Sequence, residues 1–363
     1  MTANFEQTMG QPYPLGISRV KEGINIALPV SCKRECGIVI TPPHKNSVKI
    51  PFNQAYKVGN LYTILLKDFL LEEFTYQLYA DDKMIADPYA RRVNGRRRWG
   101  VYHAAKRQLS YSYQSHTFDW EGDTFPAIPF HESIFYGLHV RGFTKHTSSK
   151  VKAKGTFAGV VEKLPYLKQL GITAIVCMPF YDFDEIIVNR EYKEIQENIK
   201  PFLDKEKQTW EYKINYWGFG DAQYFAPKAS FSYSDDAVTE CKRMIRELHR
   251  NGIECIMRIY FGDRTPHSFI YEVLKYWVTE FHVDGFQLMG ISLPMEFLGN
   301  DALLGRTKLM AEYIPSDRIY RDFGNVNSFK NLAVMNDEFL IQARRFLKGD
   351  EDMLYTIAMQ FRR

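Results

Sequence analysis

A change of pattern near Ser133 constrains the fold of this chain more than any other feature. Before it, short runs such as Ile24–Pro29 and Leu61–Leu65 alternate with turn-rich pieces, and no helical period is sustained. After it, near-continuous apolar runs such as Ile172–Phe180 alternate with segments of helical period such as Thr156–Gln169. Because strands that alternate with helices build parallel sheets, the first part predicts a β-sandwich and the second an α/β domain.

The chain is therefore expected to contain two domains, which its 363 residues can accommodate. We place the β-sandwich at 10–95, a linker at 96–132 and the α/β domain at 133–363, with a polar insertion at about 181–214. The arginine-rich stretch around Arg96 is interpreted as a solvated connector, because no second basic element accompanies it.

Composition excludes several classes of protein. The formal net charge is only +4, which is too small to indicate a nucleic-acid-binding protein. No apolar stretch reaches the about 20 residues of a membrane span, and the amino-terminal residues lack the pattern of a secretory signal. The odd number of cysteines, five, favours a reduced, cytoplasmic compartment. Aromatic residues make up 15% of the chain, which suits large cores and also proteins that stack sugars on rings.

No cofactor or metal is expected from the sequence. We find no phosphate-binding glycine loop, no serine-nucleophile elbow and no cluster of metal-ligand residues. Cys32 and Cys36 lack a second Cys or His pair at zinc spacing, so ordinary burial is the preferred interpretation.

Several short runs, taken in their order along the chain, carry a resemblance to a known family. They are Gly10–Gly16, Asp87–Ala90, Tyr136–Thr144, Gly155–Gly159, Lys163–Leu167, Asn215–Phe219, Tyr224–Lys228 and Arg344–Asp350. Together they resemble the family-13 glycoside hydrolases of the α-amylase superfamily, and within it isoamylase, pullulanase and bacterial glycogen-debranching enzymes. The resemblance implies an isoamylase-type β-sandwich, similar to a carbohydrate-binding module, followed by a (β/α)8 TIM barrel.

The resemblance also implies that the barrel is incomplete in this sequence. About five barrel strands can be identified, and no sixth, seventh or eighth strand is found after Asp350. Because eight strands close such a barrel and about five cannot, either a longer chain or a partner is expected to complete it.

The positions that match the family's catalytic motifs have largely changed. Retaining cleavage of a glucosidic bond needs a nucleophilic carboxylate and a second carboxyl group as acid/base, about 5–5.5 Å apart. The resemblance places the nucleophile at Met289 and its orienting arginine at Gln287. In the third strand, Arg258 occupies an aspartate position and Asp263 a histidine position. A thioether cannot form the covalent glycosyl intermediate, so this chain is expected not to hydrolyse α-glucan.

Two parts of the family's site are retained. Glu312 occupies the acid/base position on the fifth strand, where it is either a sugar contact or an ordinary polar residue. Tyr216 and Trp217 lie in the run that stacks against glucose in the family, and packing in the core is the alternative for both.

The function therefore remains open between three hypotheses. The preferred one is a protein of α-glucan (glycogen or starch) metabolism that binds the polysaccharide or an oligosaccharide without cleaving it. The second is an active, retaining α-glucan hydrolase with a relocated carboxylate, for which Glu296, Asp301 and Asp263 are the candidates. The third is a non-catalytic interaction subunit.

Overall fold

The computed structural model describes residues 5–101, 109–115, 117–188, 212–220, 222–314 and 331–361. Within these ranges, no helix combines the length and apolar character needed to cross a membrane. The predicted order of a β-sandwich followed by a partial parallel α/β sheet is confirmed.

The amino-terminal part consists of two antiparallel sheets. The first has the strand order β1-β7-β3-β2 with β6 beside β7, and the second β10-β8-β4-β5 with β9 beside β8. The strands are β1 (Glu6–Met9), β2 (Gly16–Val20), β3 (Gly23–Pro29), β4 (Cys36–Thr41), β5 (Val48–Pro51), β6 (Lys57–Val58), β7 (Leu61–Lys67), β8 (Glu73–Ala80), β9 (Lys83–Ile85) and β10 (Tyr111–Gln114). Buried aliphatic side chains such as Ile24, Ile26 and Ile38 supply the core.

Strand β10 lies inside the segment predicted as a linker at 96–132, so that part of the prediction is wrong for Tyr111–Gln114. The strand pairs antiparallel with β8, in the register Tyr111 opposite Tyr76. The Tyr111 ring is fully buried and packs on Tyr76 at a centroid distance of 5.4 Å. Two alternating tyrosines among polar neighbours are too short a pattern to predict a strand. In the folded protein, the packing of Tyr111 on Tyr76 stabilises this short strand.

The second part is built on a six-stranded parallel sheet whose strands follow the chain order. They are β11 (Phe135–Leu138), β12 (Ala174–Cys177), β17 (Glu254–Tyr260), β18 (Gly285–Met289), β19 (Lys308–Ala311) and β20 (Leu332–Val334). The sheet has one strand more than the about five expected, because β20 is only three residues long and partly exposed, which is too weak a pattern to predict a strand. In the described ranges no strand joins β11 to β20, so the sheet is open.

Helices and the insertion complete this part. The helices are α1 (Val140–Lys145), α2 (Phe157–Glu162), α3 (Leu164–Gln169), α4 (Ala237–Arg250), α5 (His267–Phe281), α6 (Met295–Asn300), α7 (Asp337–Lys348) and α8 (Met353–Gln360). Between β12 and β17, β13 (Tyr181–Phe183) pairs with β16 (Ala222–Pro227), and β14 (Ile186–Val188) pairs with β15 (Tyr212–Ile214). Most of the predicted insertion, residues 189–211, lies outside the described residues.

The two faces of the parallel sheet differ in what they contact. One face packs against the helices; α4, for example, buries Cys241, Ile245 and Leu248. The cap of α4 is Asp236, whose side chain accepts hydrogen bonds from two backbone N–H groups. Buried side chains on the other face form a separate, small hydrophobic cluster. We call this side of the sheet the inner face.

A buried ion pair lies on the inner face at the amino-terminal ends of the strands. Lys308 pairs with Glu254 although β18 lies between their strands. Gly285 of β18 stands opposite Lys308, and a Cβ there would lie 2.3 Å from the Lys308 carbonyl oxygen. The Ile128 backbone donates to Glu254 at 3.0 Å and accepts from Lys308. We call Glu254, Gly285 and Lys308 the floor of the sheet.

The connector before β11 is held to the α/β part by a second buried cluster. The Asp123 carboxylate contacts His249 at 2.9 Å and His282 at 2.7 Å. His249 lies between two carboxylates, since its Nε2 is 2.9 Å from Asp284. Burial would lower the pKa of His249, but Asp284 and Asp123 outweigh that effect and raise it.

Candidate functional site

The predicted catalytic positions meet at the carboxyl-terminal ends of the third, fourth and fifth strands of the parallel sheet. Arg258 and Gln287 stand opposite each other in the register of β17 and β18, and Tyr260 stands opposite Met289. Gln287 in turn faces Met310, two residues before Glu312. Because side chains alternate along a strand, all of these project from the inner face. We call the end of the sheet defined by Arg258, Gln287, Met289 and Glu312 the mouth.

Arg258 and Gln287 form a direct contact in the mouth. The Arg258 Nε donates to the Gln287 Oε1 at 2.8 Å, and Nη1 lies 3.3 Å from the Met178 sulfur. Gln287 is buried, whereas the guanidinium is half-buried. Burial lowers the pKa of Arg258, and the charge of Glu312 opposes that shift. Glu312 is therefore near enough to Arg258 to act on it electrostatically.

The remaining predicted positions differ in their surroundings. Met289 is half-buried at the last residue of β18, and Glu312 is exposed just after β19. Asp263 is exposed on the loop that follows Phe261, and no described residue forms a hydrogen bond or ion pair with its side chain. The mouth therefore brings together Arg258, Gln287 and Glu312, and no such contact links Asp263 to them.

The candidates for a relocated carboxylate have other surroundings. Asp301 accepts a hydrogen bond from the Tyr271 hydroxyl at 2.6 Å and from two backbone N–H groups, at Leu303 and Leu304. These contacts fix it as the cap of a turn. Glu296 lies in the first turn of α6.

The predicted sugar-stacking segment is held by Asn215. Its side chain accepts from the Gly218 backbone at 3.0 Å and donates to the carbonyls of Asp184 and Phe219, both at 3.1 Å. Gly218 has a φ of +81°, a conformation that glycine adopts without strain. The Asn-Tyr-Trp-Gly run is therefore a closed turn that presents its two aromatic side chains.

Tyr216 lies against the end of the first strand of the parallel sheet. Its ring stacks on His139 with centroids 4.4 Å apart and planes 12° apart. The His139 Nδ1 accepts from the Gly142 backbone, so its Nε2 donates to the Tyr216 carbonyl at 2.9 Å. Burial lowers the pKa of His139, which keeps the ring neutral at pH 7. This stack places the turn at the same end of the sheet as the mouth.

Trp217 is not a core residue. It is 52% exposed, and its ring stands edge-on to Tyr216 at 5.1 Å and 88°. Tyr216 is half-buried, so it combines packing on His139 with partial access to solvent. Packing alone does not account for the exposure of Trp217.

Sequence reasoning missed two further aromatic residues near the mouth. Phe219 contacts Tyr260 at a centroid distance of 6.2 Å, and Tyr260 is beside Met289. Trp99 lies edge-on to Tyr216 at 6.0 Å, with the Arg141 guanidinium 5.0 Å from its ring. The third aromatic in the Tyr216–Phe219 run was a signal for Phe219. Trp99 gave none, because it follows the arginine-rich stretch that we interpreted as a solvated connector.

That interpretation is wrong for Arg96. Arg96 is buried and pairs with Asp182 at 3.2 Å and with Asp184. Asp182 is also 3.0 Å from the fully buried Lys228, whose amine lies 2.8 Å from Glu185. The insertion supplies the carboxylates that make burial of both cations favourable.

The described ranges contain no group of three or more His, Cys, Asp or Glu side chains placed to hold a metal ion. All five cysteines have free thiols.

A family model described as the catalytic domain of alpha amylase matches residues 138–261. The chloroplastic isoamylase 1 of Oryza sativa subsp. japonica is 25% identical over 452 residues, which cover 94% of this chain and 53% of that protein. The glycogen operon protein GlgX homolog of Haemophilus influenzae is 25% identical over 421 residues, covering 93% of this chain and 60% of that protein.

A solved structure shares the fold. It is a variant of the pullulanase from Paenibacillus barengoltzii complexed with maltotriose, with a TM-score of 0.62 and 19% sequence identity. The match covers 90% of this chain and 58% of that one. The chain thus spans about half the length of the curated relatives it matches.

Proposed function

We propose that this chain, which is similar to debranching-type glycoside hydrolases of the α-amylase superfamily, binds α-glucan without hydrolysing it. One observation supports the proposal: Met289, which the resemblance aligns with the family's nucleophile, lies in the mouth together with Gln287, and Gln287 is bonded to Arg258. Glu312 alone can donate a proton, but it cannot also supply the nucleophile.

Binding is proposed to run through Tyr216 and Trp217. Pyranose rings have an apolar C–H face that packs on aromatic rings, and this contact needs no carboxylate. Trp217 is the more exposed of the two rings, and Phe219 continues the aromatic surface toward the mouth. The pullulanase variant that shares this fold is complexed with maltotriose, which supports an oligosaccharide of α-linked glucose as the ligand.

Affinity electrophoresis in glycogen-containing gels tests binding. We expect the wild-type protein to be retarded and Trp217→Ala to lose most of that retardation. The matched control is Tyr355→Ala on α8, which removes an aromatic ring that is 75% exposed away from the Tyr216–Phe219 turn. Equal retardation of the wild type and of Trp217→Ala would contradict the proposed site.

A reducing-end assay on amylopectin, pullulan and glycogen tests the absence of hydrolysis. We expect no product above a buffer blank, because one carboxylate cannot complete the double displacement. Turnover that Glu312→Gln abolishes would instead establish the alternative function, an active α-glucan hydrolase. Turnover unchanged in that variant would indicate a contaminating enzyme.

A second candidate function, a non-catalytic interaction subunit, is favoured by the surface of α7 and α8. Large apolar side chains there are exposed, among them Leu347, Leu354 and Phe361 at 82%, 73% and 76%. They lie after β20, the edge strand of an open sheet, where a partner or a further polypeptide segment could add strands. Light scattering of the purified protein over a range of concentrations, compared with Leu347→Lys, tests for self-association at this surface.

We also propose a cytoplasmic location. Five free thiols suit a reducing compartment, since exposed or paired cysteines of secreted proteins are usually oxidised.

A further inference from the structure

We propose that Arg258 makes the mouth selective for a sugar that carries an oxyanion group, a phosphate monoester or a carboxylate. This inference rests on the proposed glucan-binding function and specifies the ligand of the same site. The inference depends on which N–H donors of Arg258 form hydrogen bonds and which do not.

The Arg258 side chain is fixed at one edge only. A guanidinium has five N–H donors in one plane, and Gln287 takes the Nε donor at 2.8 Å. Nη1 has a single contact, with the Met178 sulfur at 3.3 Å, and a thioether is a weak acceptor. In the part of the chain that the structure describes, no oxygen accepts from Nη2. The Gln287 bond sets the plane of the guanidinium, while the Nη edge keeps its donors for a ligand.

The charge of Arg258 is likewise left without a contact partner. Among the described residues, no carboxylate lies within ion-pair distance of it. Arg96, by contrast, is buried against two carboxylates. The Arg258 side chain is half-buried, so its cationic form has lost part of its solvation, and this burial lowers its pKa. A half-buried cation without a contact partner attracts an anion, because pairing restores part of the lost solvation.

The shape of the free edge selects oxyanions. Two N–H groups of a guanidinium match two oxygens of a phosphate or carboxylate, and such paired bonds are stronger than neutral ones. The aromatic Phe219 and Tyr260 lie on the same end of the sheet, so the anion is expected to belong to a sugar that also contacts rings. The nearby Glu312 carries the same sign of charge as such a ligand, and it should weaken binding.

Isothermal titration and ligand-observed NMR at low ionic strength test this inference with four probes. They are glucose 6-phosphate, glucuronate, glucose and inorganic phosphate. We expect the two charged sugars, or one of them, to bind at least about tenfold more tightly than glucose, which corresponds to about 1.4 kcal/mol. That advantage should shrink as salt is raised, since screening weakens the charge attraction.

Three variants identify the residue responsible. Arg258→Gln should bring the ratio of charged-sugar to glucose affinity close to one, and Arg258→Lys should retain part of it because the charge stays while the fork is lost. Glu312→Gln should raise the affinity for the charged sugar by removing repulsion. Arg264→Gln is the matched control, since Arg264 is exposed on the loop after the same strand. Thermal melting of each variant verifies folding.

The outcomes separate this inference from the proposed function. A charged sugar that binds no better than glucose overturns the inference even if glycogen still retards the protein. Inorganic phosphate that binds as tightly as glucose 6-phosphate also overturns it, because the site would then recognise a free anion. Selective binding of a charged sugar without retention on glycogen would leave the inference standing and reject the proposed glucan polymer.

Discussion

The floor of the sheet offers the sharpest test of how this fold is stabilised. Lys308→Met removes the ammonium group that pairs with Glu254 and keeps most of the side-chain volume. Both residues are buried, at 7% and 2% exposure. Burial raises the pKa of Glu254, and Lys308 opposes that shift. The substitution therefore leaves a buried carboxylate whose remaining hydrogen-bond partner, among the residues that the structure describes, is the Ile128 N–H.

The expected cost is large on the scale of protein stability. Removing one partner of a buried ion pair costs about 3–5 kcal/mol, because the other charge remains desolvated. Folded domains are stable by only about 5–15 kcal/mol, so the variant should lose a substantial part of its margin. Glu254→Gln in the same chain removes the orphan charge and keeps an acceptor for Ile128. We expect the double variant to recover at least half of the loss.

Urea unfolding followed by fluorescence measures the free energies of unfolding of the wild type, Lys308→Met and the double variant. In Lys308→Met, the folded state favours a protonated Glu254, so its stability should increase as the pH falls from 7 to 5. The double variant lacks this titration and should not show that increase. A cost below about 1 kcal/mol for Lys308→Met, or a double variant no more stable than the single one, would refute the account of the floor.

Three further predictions follow from contacts described above. Gly285→Ala should lower the melting temperature, because the new Cβ would lie 2.3 Å from the Lys308 carbonyl oxygen; a melting temperature equal to that of the wild type would contradict this. His249 has a raised pKa, so its contribution to stability is complete below about pH 6.5 and is lost as the pH rises through the folded value; thermal melts from pH 5.5 to 8.5 should show a steeper decline for the wild type than for His249→Gln. Gly218→Ala places a Cβ 2.6 Å from the Phe183 ring, so it should distort the turn and reduce retardation in glycogen gels, measured against the wild type.

The strands and helices of the parallel sheet were largely predictable, whereas their ends were not. The apolar run Gly285–Met289 forms a strand with those bounds, and its first four residues are buried. The run Tyr136–Thr144, by contrast, is divided between a strand that ends at Leu138 and a helix that the His139 side chain caps. A side-chain cap of this kind starts a helix within an apolar run that would otherwise favour a longer strand. Histidine is not among the residues preferred as caps, so the sequence gives little sign of it.

The sequence predicts where the site residues lie in the sheet, but it does not predict the contacts between their side chains. The resemblance to a family assigned Arg258, Gln287 and Glu312 to strand ends, and the alternation of side chains brings them to one face. The bond between Arg258 and Gln287 depends on the register of two strands, which the sequence does not specify. The stack of Tyr216 on His139 joins residues 77 positions apart, so no local pattern reveals it.

The bond between Lys308 and the Ile128 carbonyl has a consequence for the order of events during synthesis. Each strand of the parallel sheet lies beside its predecessor, so a growing chain can add them one at a time. The connector at Ile128 is different, because its partner is made 180 residues later. At about 5–20 residues per second, a ribosome needs roughly 9–36 s to cover that distance. The Ile128 carbonyl therefore lacks this bond until the fifth strand arrives, and in the meantime the contacts of Asp123 with His249 and His282 hold the connector.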